Sequence, residues 1–520
     1  MSAISIGCWT CRVRHKKCDI TLPICRECSD RNVQCHGYGP RPTWMDGGSE
    51  EKKEKSRIKT AINQHVRRLR KMRNRTKLAP AAGDETESTM NPAGSPDGSP
   101  LVSIESSTQD TIFDPQSACL LMHYLDQVFA WQFPYFCYTS RLGNRGWLLY
   151  LLMKRGPLYH AVLSLSSLHQ SAILGSEEEF QQKEKALEHH SRALREFCKF
   201  MGEERGRLLD DNARLAEFLA CSLIMISCGE HDWLLHLDAV IGVIHSLSPE
   251  SIFTANSLSD SQSGMTRVHH QEGLEFLLAT MVSLDLFACL PTGRVPQLPY
   301  QKWLQTPEIQ IADLLSCENW VMMIIGDLAC FGQWKKVQEE DNALDVSEMT
   351  RRGDEIKARL TTGIEELDLI RDVRIASPYS STCTNLSLQK ENYEPQTSWV
   401  SRMYALACLV LLHTTVSGPL PALPEIRETV SRSIVELQVR PRAYSLTGLV
   451  WSICVVGCMA QADHQLLFED LMADLVRHSA RFGNLGTVLK TMRNCWKLQE
   501  TESADCRTTM VKTGICAILI

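Results

Sequence analysis

From about Phe113 to the end of the chain, apolar residues recur at the three-to-four-residue interval of an amphipathic helix, separated by polar and charged positions. Gln181 to Met201 and Leu215 to Cys228 carry this pattern on good helix formers, and Trp147 to Leu174 has the same character around Gly156-Pro157. Few alternating segments and few Asn-Gly hairpin signals compete with it, so the pattern predicts an all-helical body over 113–520. The nearest approach to a continuous apolar run is Leu446 to Ala460. A bilayer span takes about 20 residues, so this run reads as a buried helix, and no membrane partner is expected.

The N-terminal fifth follows a different pattern. Residues 80–112 are rich in Pro, Gly, Ser and acid and contain no Lys or Arg, the composition of a disordered linker. Residues 37–79 begin as a turn-rich connector and continue as a basic helix with 12 Lys+Arg between 51 and 77. Ile58, Ile62, His65, Leu69 and Met72 follow the 4-3-4-3 spacing of a short coiled-coil seam, which predicts a homodimer through residues 58–72. The competing reading is a basic helix that is solvated or contacts the DNA backbone. The run Arg67, Arg68, Arg70, Lys71, Arg73 and Arg75 has the composition of a nuclear import signal.

Composition adds a polarity to this plan. With 520 residues and 44% hydrophobic content, the chain can bury more than one core. The formal net charge of −6 divides into +12 over residues 1–80 and −18 over the remainder, a basic head on an acidic body. That asymmetry points to nucleic acid at one end only. Fifteen of the 21 cysteines are scattered singly through apolar contexts and read as reduced, buried thiols of an intracellular protein.

The other six carry the chemistry. Cys8, Cys11, Cys18, Cys25, Cys28 and Cys35 form C-x2-C-x6-C twice, the second copy offset by 17 residues. A structural zinc takes four ligands and prefers thiolates, so two separate zincs require eight donors where six are present, and two thiolates must bridge. Two zincs on six thiolates carry a formal charge of −2. Between Cys11 and Cys18 stand Arg12, Arg14, His15, Lys16 and Lys17, with four fixed positive charges, whereas the matching loop of the second half is nearly neutral. Only the first half is built to face a polyanion.

At this point the stretch CWTCRVRHKKCDITLPICRECSDRNVQC resembles the fungal six-cysteine binuclear zinc cluster of transcription regulators. The resemblance covers the six spacings, the basic run, Asp19 after the third cysteine and Pro23 between the halves; GYGPRPTWMDGG resembles the tail that follows the cluster in one subgroup. It implies that Cys8 and Cys25 bridge both zincs, that Cys11 and Cys18 complete one site, and that Cys28 and Cys35 complete the other. It also implies that the first short helix enters the major groove of double-stranded DNA over a CGG-like triplet, with Arg14 and His15 at the base-contacting positions. His15 departs from the usual Lys or Arg and weakens or alters that readout. In the body, RGPLYHAVLSLSSLHQ (155–170), TGRVPQLPYQKWL (292–304) and CENWVMMIIGDLA (317–329) resemble the fungal-specific transcription-factor domain.

The expected architecture is therefore a binuclear zinc cluster DNA-binding domain (8–36), the connector and basic helix (37–79), a disordered linker (80–112) and a large all-α regulatory domain (113–520). The expected function is a nuclear, zinc-dependent, sequence-specific regulator of RNA polymerase II transcription that works with the transcription machinery or co-regulators. The alternative is a zinc-stabilised protein-interaction scaffold. No GxxxxGK[ST], GxGxxG, GxSxG or HExxH motif supports an enzyme. His231, Asp232 and His236 have unsuitable spacing for a helical metal site, and the pairs His189-His190 and His269-His270 read as surface residues.

Overall fold

The computed structural model describes residues 7–14, 16, 18–19, 25–29, 31, 33–37, 42, 45, 48, 51–53, 55–59, 114–136, 145–173, 176–204, 211–228, 233–254, 264–376, 385–441, 443–478 and 484–519. The chain divides into two compact units, Met1–Ser106 and Ser107–Ile520. No strand occurs among the described residues. The linker over 80–112, the import run from Arg67 to Arg75, and all of the 58–72 seam beyond Ile58 and Lys59 lie outside them.

The first unit contains two short helices, α1 (Trp9–Val13) and α2 (Arg26–Ser29), and helical turns at 51–53 and 55–59 in which Ile58 is buried. The second unit starts with α3 (Pro115–His123), capped by the Asp114 carboxylate on the Gln116 and Ser117 N–H groups. It continues through a π-helical turn (Tyr124–Val128) and Phe129–Gln132. Then follow α4 (Gly146–Met153), α5 (Pro157–Ile173), α6 (Ser176–Glu204), α7 (Asn212–Cys228), α8 (Trp233–Ile244), α9 (Pro249–Thr254) and α10 (Gly264–Thr292). The remainder comprises α11 (Tyr300–Gln305), α12 (Ala312–Leu315), α13 (Asn319–Glu340), α14 (Val346–Ala376), α15 (Asn385–Ser417), α16 (Pro424–Gln438), α17 (Val450–Cys458), α18 (Ala462–His478), α19 (Leu485–Gln499) and α20 (Cys506–Thr513).

The Trp147–Leu174 pattern resolves into two helices for a local reason. Arg155 takes a left-handed backbone (φ 55°), which turns the chain out of α4, and Gly156 leaves room for Glu217, whose Oε1 would lie 2.6 Å from a Cβ there. Pro157 then opens α5, where its missing N–H costs nothing. Helices α5 and α6 pack antiparallel, with the Ser164 hydroxyl donating to Ala186 O at 2.8 Å and His160 stacked on His189.

Helix α10 is the centre of the body, packed by α4, α7, α8, α13 and α20. Its stretch Gln271–Thr292 is long and apolar enough to cross a membrane, and its most apolar window lies wholly inside the fold; in α15, Pro395–Ser417 passes the same test at 72% buried. Glu275 and Asp285 put charge into the α10 run, whereas Leu446–Ala460 is uncharged and stands out in the sequence. That shorter segment forms a 3-10 turn (Thr447–Leu449), in which Leu449 is buried, and α17, which is buried throughout.

The quoted body phrases act as clamps. Asn319 donates to Leu304 O (2.8 Å) and Ile309 O (2.7 Å) and accepts from Ile311 N (2.8 Å), closing the turn before α13. After α10, Asp285 Oδ2 accepts from both Gln297 N and Leu298 N at 2.8 Å, Arg294 pairs with Asp238 at 2.5 Å, and Arg507 on α20 donates to Gly293 O at 3.2 Å. The surface reading of His189 is corrected: the ring is half-buried between α5 and α6 because it stacks on the buried His160 at 5.8 Å. His231 and Asp232 fall outside the described residues, and His236 lies on α8.

Candidate metal and nucleic-acid site

The cluster is built on α1 and α2, each of which starts at the first Cys-x2-Cys pair of its half. Cys8 is the N-cap of α1, and its sulfur accepts the Cys11 N–H at 3.3 Å, while Cys8 N donates to Cys18 Sγ at 3.5 Å. Such N–H···S bonds turn the sulfurs inward and favour the thiolate. The fully buried Thr10 ties the two ends together: its hydroxyl donates to Gln34 O (2.8 Å) and accepts from His36 N (2.9 Å). Trp9 N donates to Gly37 O at 3.0 Å, so the segment after Cys35 is held against α1.

The six sulfurs form two groups of four, Cys8, Cys11, Cys18, Cys25 and Cys8, Cys25, Cys28, Cys35, each with all its sulfurs within 4.8 Å of one another. Cys8 and Cys25 belong to both. Within these groups the sulfur separations are 3.6 Å for Cys8 and Cys25, 3.7 Å for Cys8 and Cys28, and 3.6 Å for Cys11 and Cys25. Four sulfurs at about 2.3 Å from a tetrahedral zinc stand about 3.8 Å apart, so the donor set fits two zincs that share an edge. Cys11 and Cys28, one from each group, are also in contact at 3.8 Å.

Burial raises the Cys8 and Cys28 thiols and lifts Cys11 to about 11. At Cys35 burial raises the thiol too, but is outweighed by hydrogen bonds with Cys25 and Gly37, and the net direction is down. Metal loading must therefore displace protons, and acid opposes it. The donor set thus provides two four-sulfur sites for zinc.

The basic residues are not equivalent. Lys16 is exposed, whereas the Arg12 guanidinium lies over the Trp9 ring at 4.4 Å. Arg14 turns back across the cluster: its side chain is 10% exposed, Nη1 donates to Glu27 O and Nη2 to Glu27 Oε1, each at 3.4 Å. His15 and Lys17 lie outside the described residues. Sequence reading missed Glu27, which also accepts from Arg31 Nε at 3.1 Å. Its signal was an acid inside the second Cys-x2-Cys, facing the one strongly basic loop.

Residues 6–45 match the fungal Zn(2)-Cys(6) binuclear cluster domain and residues 119–520 the fungal specific transcription factor domain. Among curated proteins, the pestheic acid cluster transcriptional regulator 3 of Pestalotiopsis fici is 26% identical over 96% of this chain and 95% of its own. The ustiloxin B cluster transcription factor of Aspergillus flavus is 25% identical over 94% and 93%. A trichothecene biosynthesis transcription regulator of Trichoderma arundinaceum is 29% identical over 73% and 89%. No solved structure matches the chain. With both domains in order and similarity running nearly end to end, the chain belongs to the fungal zinc-cluster transcription factor family.

Proposed function

We propose that this protein is a nuclear, zinc-dependent, sequence-specific DNA-binding regulator that reads CGG-like triplets with the first half of its cluster. The observation that carries this reading is the pair of thiol tetrads sharing Cys8 and Cys25, joined to a loop with four fixed cations on one side only. In this reading Cys8 and Cys25 bridge, Cys11 and Cys18 complete one zinc, and Cys28 and Cys35 the other. Of the cations from Arg12 to Lys17, those that stand clear of the cluster form the electrostatic footprint on the duplex. The relatives' names, two for metabolite clusters and one for trichothecene biosynthesis, support a role in regulating a biosynthetic gene cluster. Import through Arg67 to Arg75, dimerisation through 58–72 and co-regulator contacts by the helical body complete the proposal.

The test is a salt titration of the zinc-loaded full chain against a CGG duplex and a scrambled one. Preference for the CGG duplex, a steep loss of affinity with salt, and loss of binding after chelation support the reading. Equal, weak binding to both duplexes in the zinc-loaded state contradicts it.

A further inference from the structure

We infer that Glu27 withdraws Arg14 from the DNA face, making Arg14 a strut between α1 and α2 and Glu27 the residue that sets how much charge the first half presents to DNA. This inference deepens the DNA-binding reading and rests on it. An arginine reads guanine through two parallel N–H donors. Each terminal nitrogen of Arg14 gives an N–H to Glu27, one to its carbonyl and one to its carboxylate, and the side chain is left only 10% exposed, so the paired donors are turned towards α2. Glu27 is a strong anchor because Arg31 pairs with the same oxygen and α2 holds its backbone. It is also an anion beside a surface meant for phosphates, tolerable there because two guanidiniums cover it.

The geometry thus divides the basic run by role. Arg14 fixes the end of α1 against the second half and keeps the two halves in register around the shared sulfurs. Contact with DNA from this loop falls to cations that stand clear of the cluster, of which Lys16 is exposed. Glu27 sets how many charges the first half presents: with its carboxylate, Arg14 is neutralised; without it, one more cation is free to meet a phosphate.

The test uses the zinc-loaded full chain as wild type, Arg14→Ala, Glu27→Gln and the double variant, with zinc content checked at two per chain. For a CGG duplex, Arg14→Ala is expected to keep the base preference and the salt slope. Glu27→Gln is expected to steepen the slope of log affinity against log salt by about 0.9, the value of one further phosphate contact, and the gain is expected to vanish in the double variant. A merely structural Glu27 would leave that slope unchanged. Loss of triplet preference in Arg14→Ala, or a slope flattened by one contact, overturns the inference, since Arg14 then leaves Glu27 to read DNA. Zinc release to a chelator, followed without DNA, separates this from failure of the functional reading. Single variants several-fold faster than wild type, with the double no faster than either, support the strut even if no triplet is read; additive effects refute it.

Discussion

Replacing Asp285 by alanine removes the acceptor that organises the loop after α10. The carboxylate is fully buried and takes the N–H groups of Gln297 and Leu298 at 2.8 Å each on one oxygen, while the other lies 3.7 Å from the Arg294 guanidinium. Gln297 is exposed and its N–H rehydrates at little cost, but Leu298 is 2% exposed and its stranded donor has no water to turn to. Stranding a buried donor costs about 1–3 kcal/mol. Taking about 2 kcal/mol at 1.4 kcal/mol per decade, local opening at Leu298 becomes about 30-fold easier. Burial raises the Asp285 carboxyl above its ordinary range against the opposing Leu298 N–H and Arg294, and what the loop's two N–H groups require is an acceptor oxygen at this position. Asp285→Asn, which keeps one acceptor oxygen, should therefore retain most of the protection. Hydrogen exchange of the full chain, read by mass spectrometry over 293–300, checks both variants. Unchanged exchange at Leu298 in Asp285→Ala, or equal losses in the alanine and asparagine variants, refutes the reasoning.

Other perturbations address the cluster and the body separately. Cys8→Ser and Cys25→Ser remove a sulfur common to both tetrads and should cost both zincs, whereas Cys11→Ser, Cys18→Ser, Cys28→Ser and Cys35→Ser should each keep close to one; metal analysis of the purified chains decides, and equal loss in all six contradicts the sharing. His160 and His169 are each lowered to about 4, chiefly by burial, with Arg192 adding at His160 and His123 at His169. Because the folded values lie below the unfolded value near 6.5, their stabilising contribution is complete above pH 6.5 and disappears as pH falls towards 4, at up to about 3 kcal/mol per histidine. Unfolding midpoints of wild type and His169→Gln should converge over that window, and parallel pH profiles contradict it. Gly326→Ala would set a Cβ 2.5 Å from Tyr300 Cε2, pushing the ring from its 2.5 Å hydrogen bond to Asp327. Overpacking of this kind costs about 1–3 kcal/mol, so an unchanged thermal midpoint would count against the contact.

What the sequence revealed follows from how local each signal is. Six cysteines at fixed spacings encode the cluster within 28 residues, and counting donors against two four-coordinate zincs demands two shared sulfurs from the sequence alone. The helical body was legible because amphipathic periodicity is local too: Gln181–Met201 lies within α6, and Leu215–Cys228 within α7. The partners of polar residues were not legible, since they come from distant elements. Nothing near Asp285 says that it holds the backbone 12 and 13 residues on, and nothing near Arg14 says that it meets Glu27. His189 looked solvated beside Glu188 and His190, yet it stacks on a ring 29 positions earlier. The stretch Gln271–Thr292 of α10, wholly buried over its most apolar window, was hard to see because Glu272, Glu275, Thr280, Ser283 and Asp285 interrupt its apolar run.

The central claim is that the zinc-loaded cluster reads a short DNA sequence. Selection of binding sites from random duplex DNA by the zinc-loaded full chain, repeated at rising salt, tests it most directly. Enrichment of CGG-containing sites that persists as salt removes unselective binding is the predicted result. Binding that is equally weak on all sequences and lost uniformly with salt would contradict the claim and leave the cluster a zinc-held scaffold.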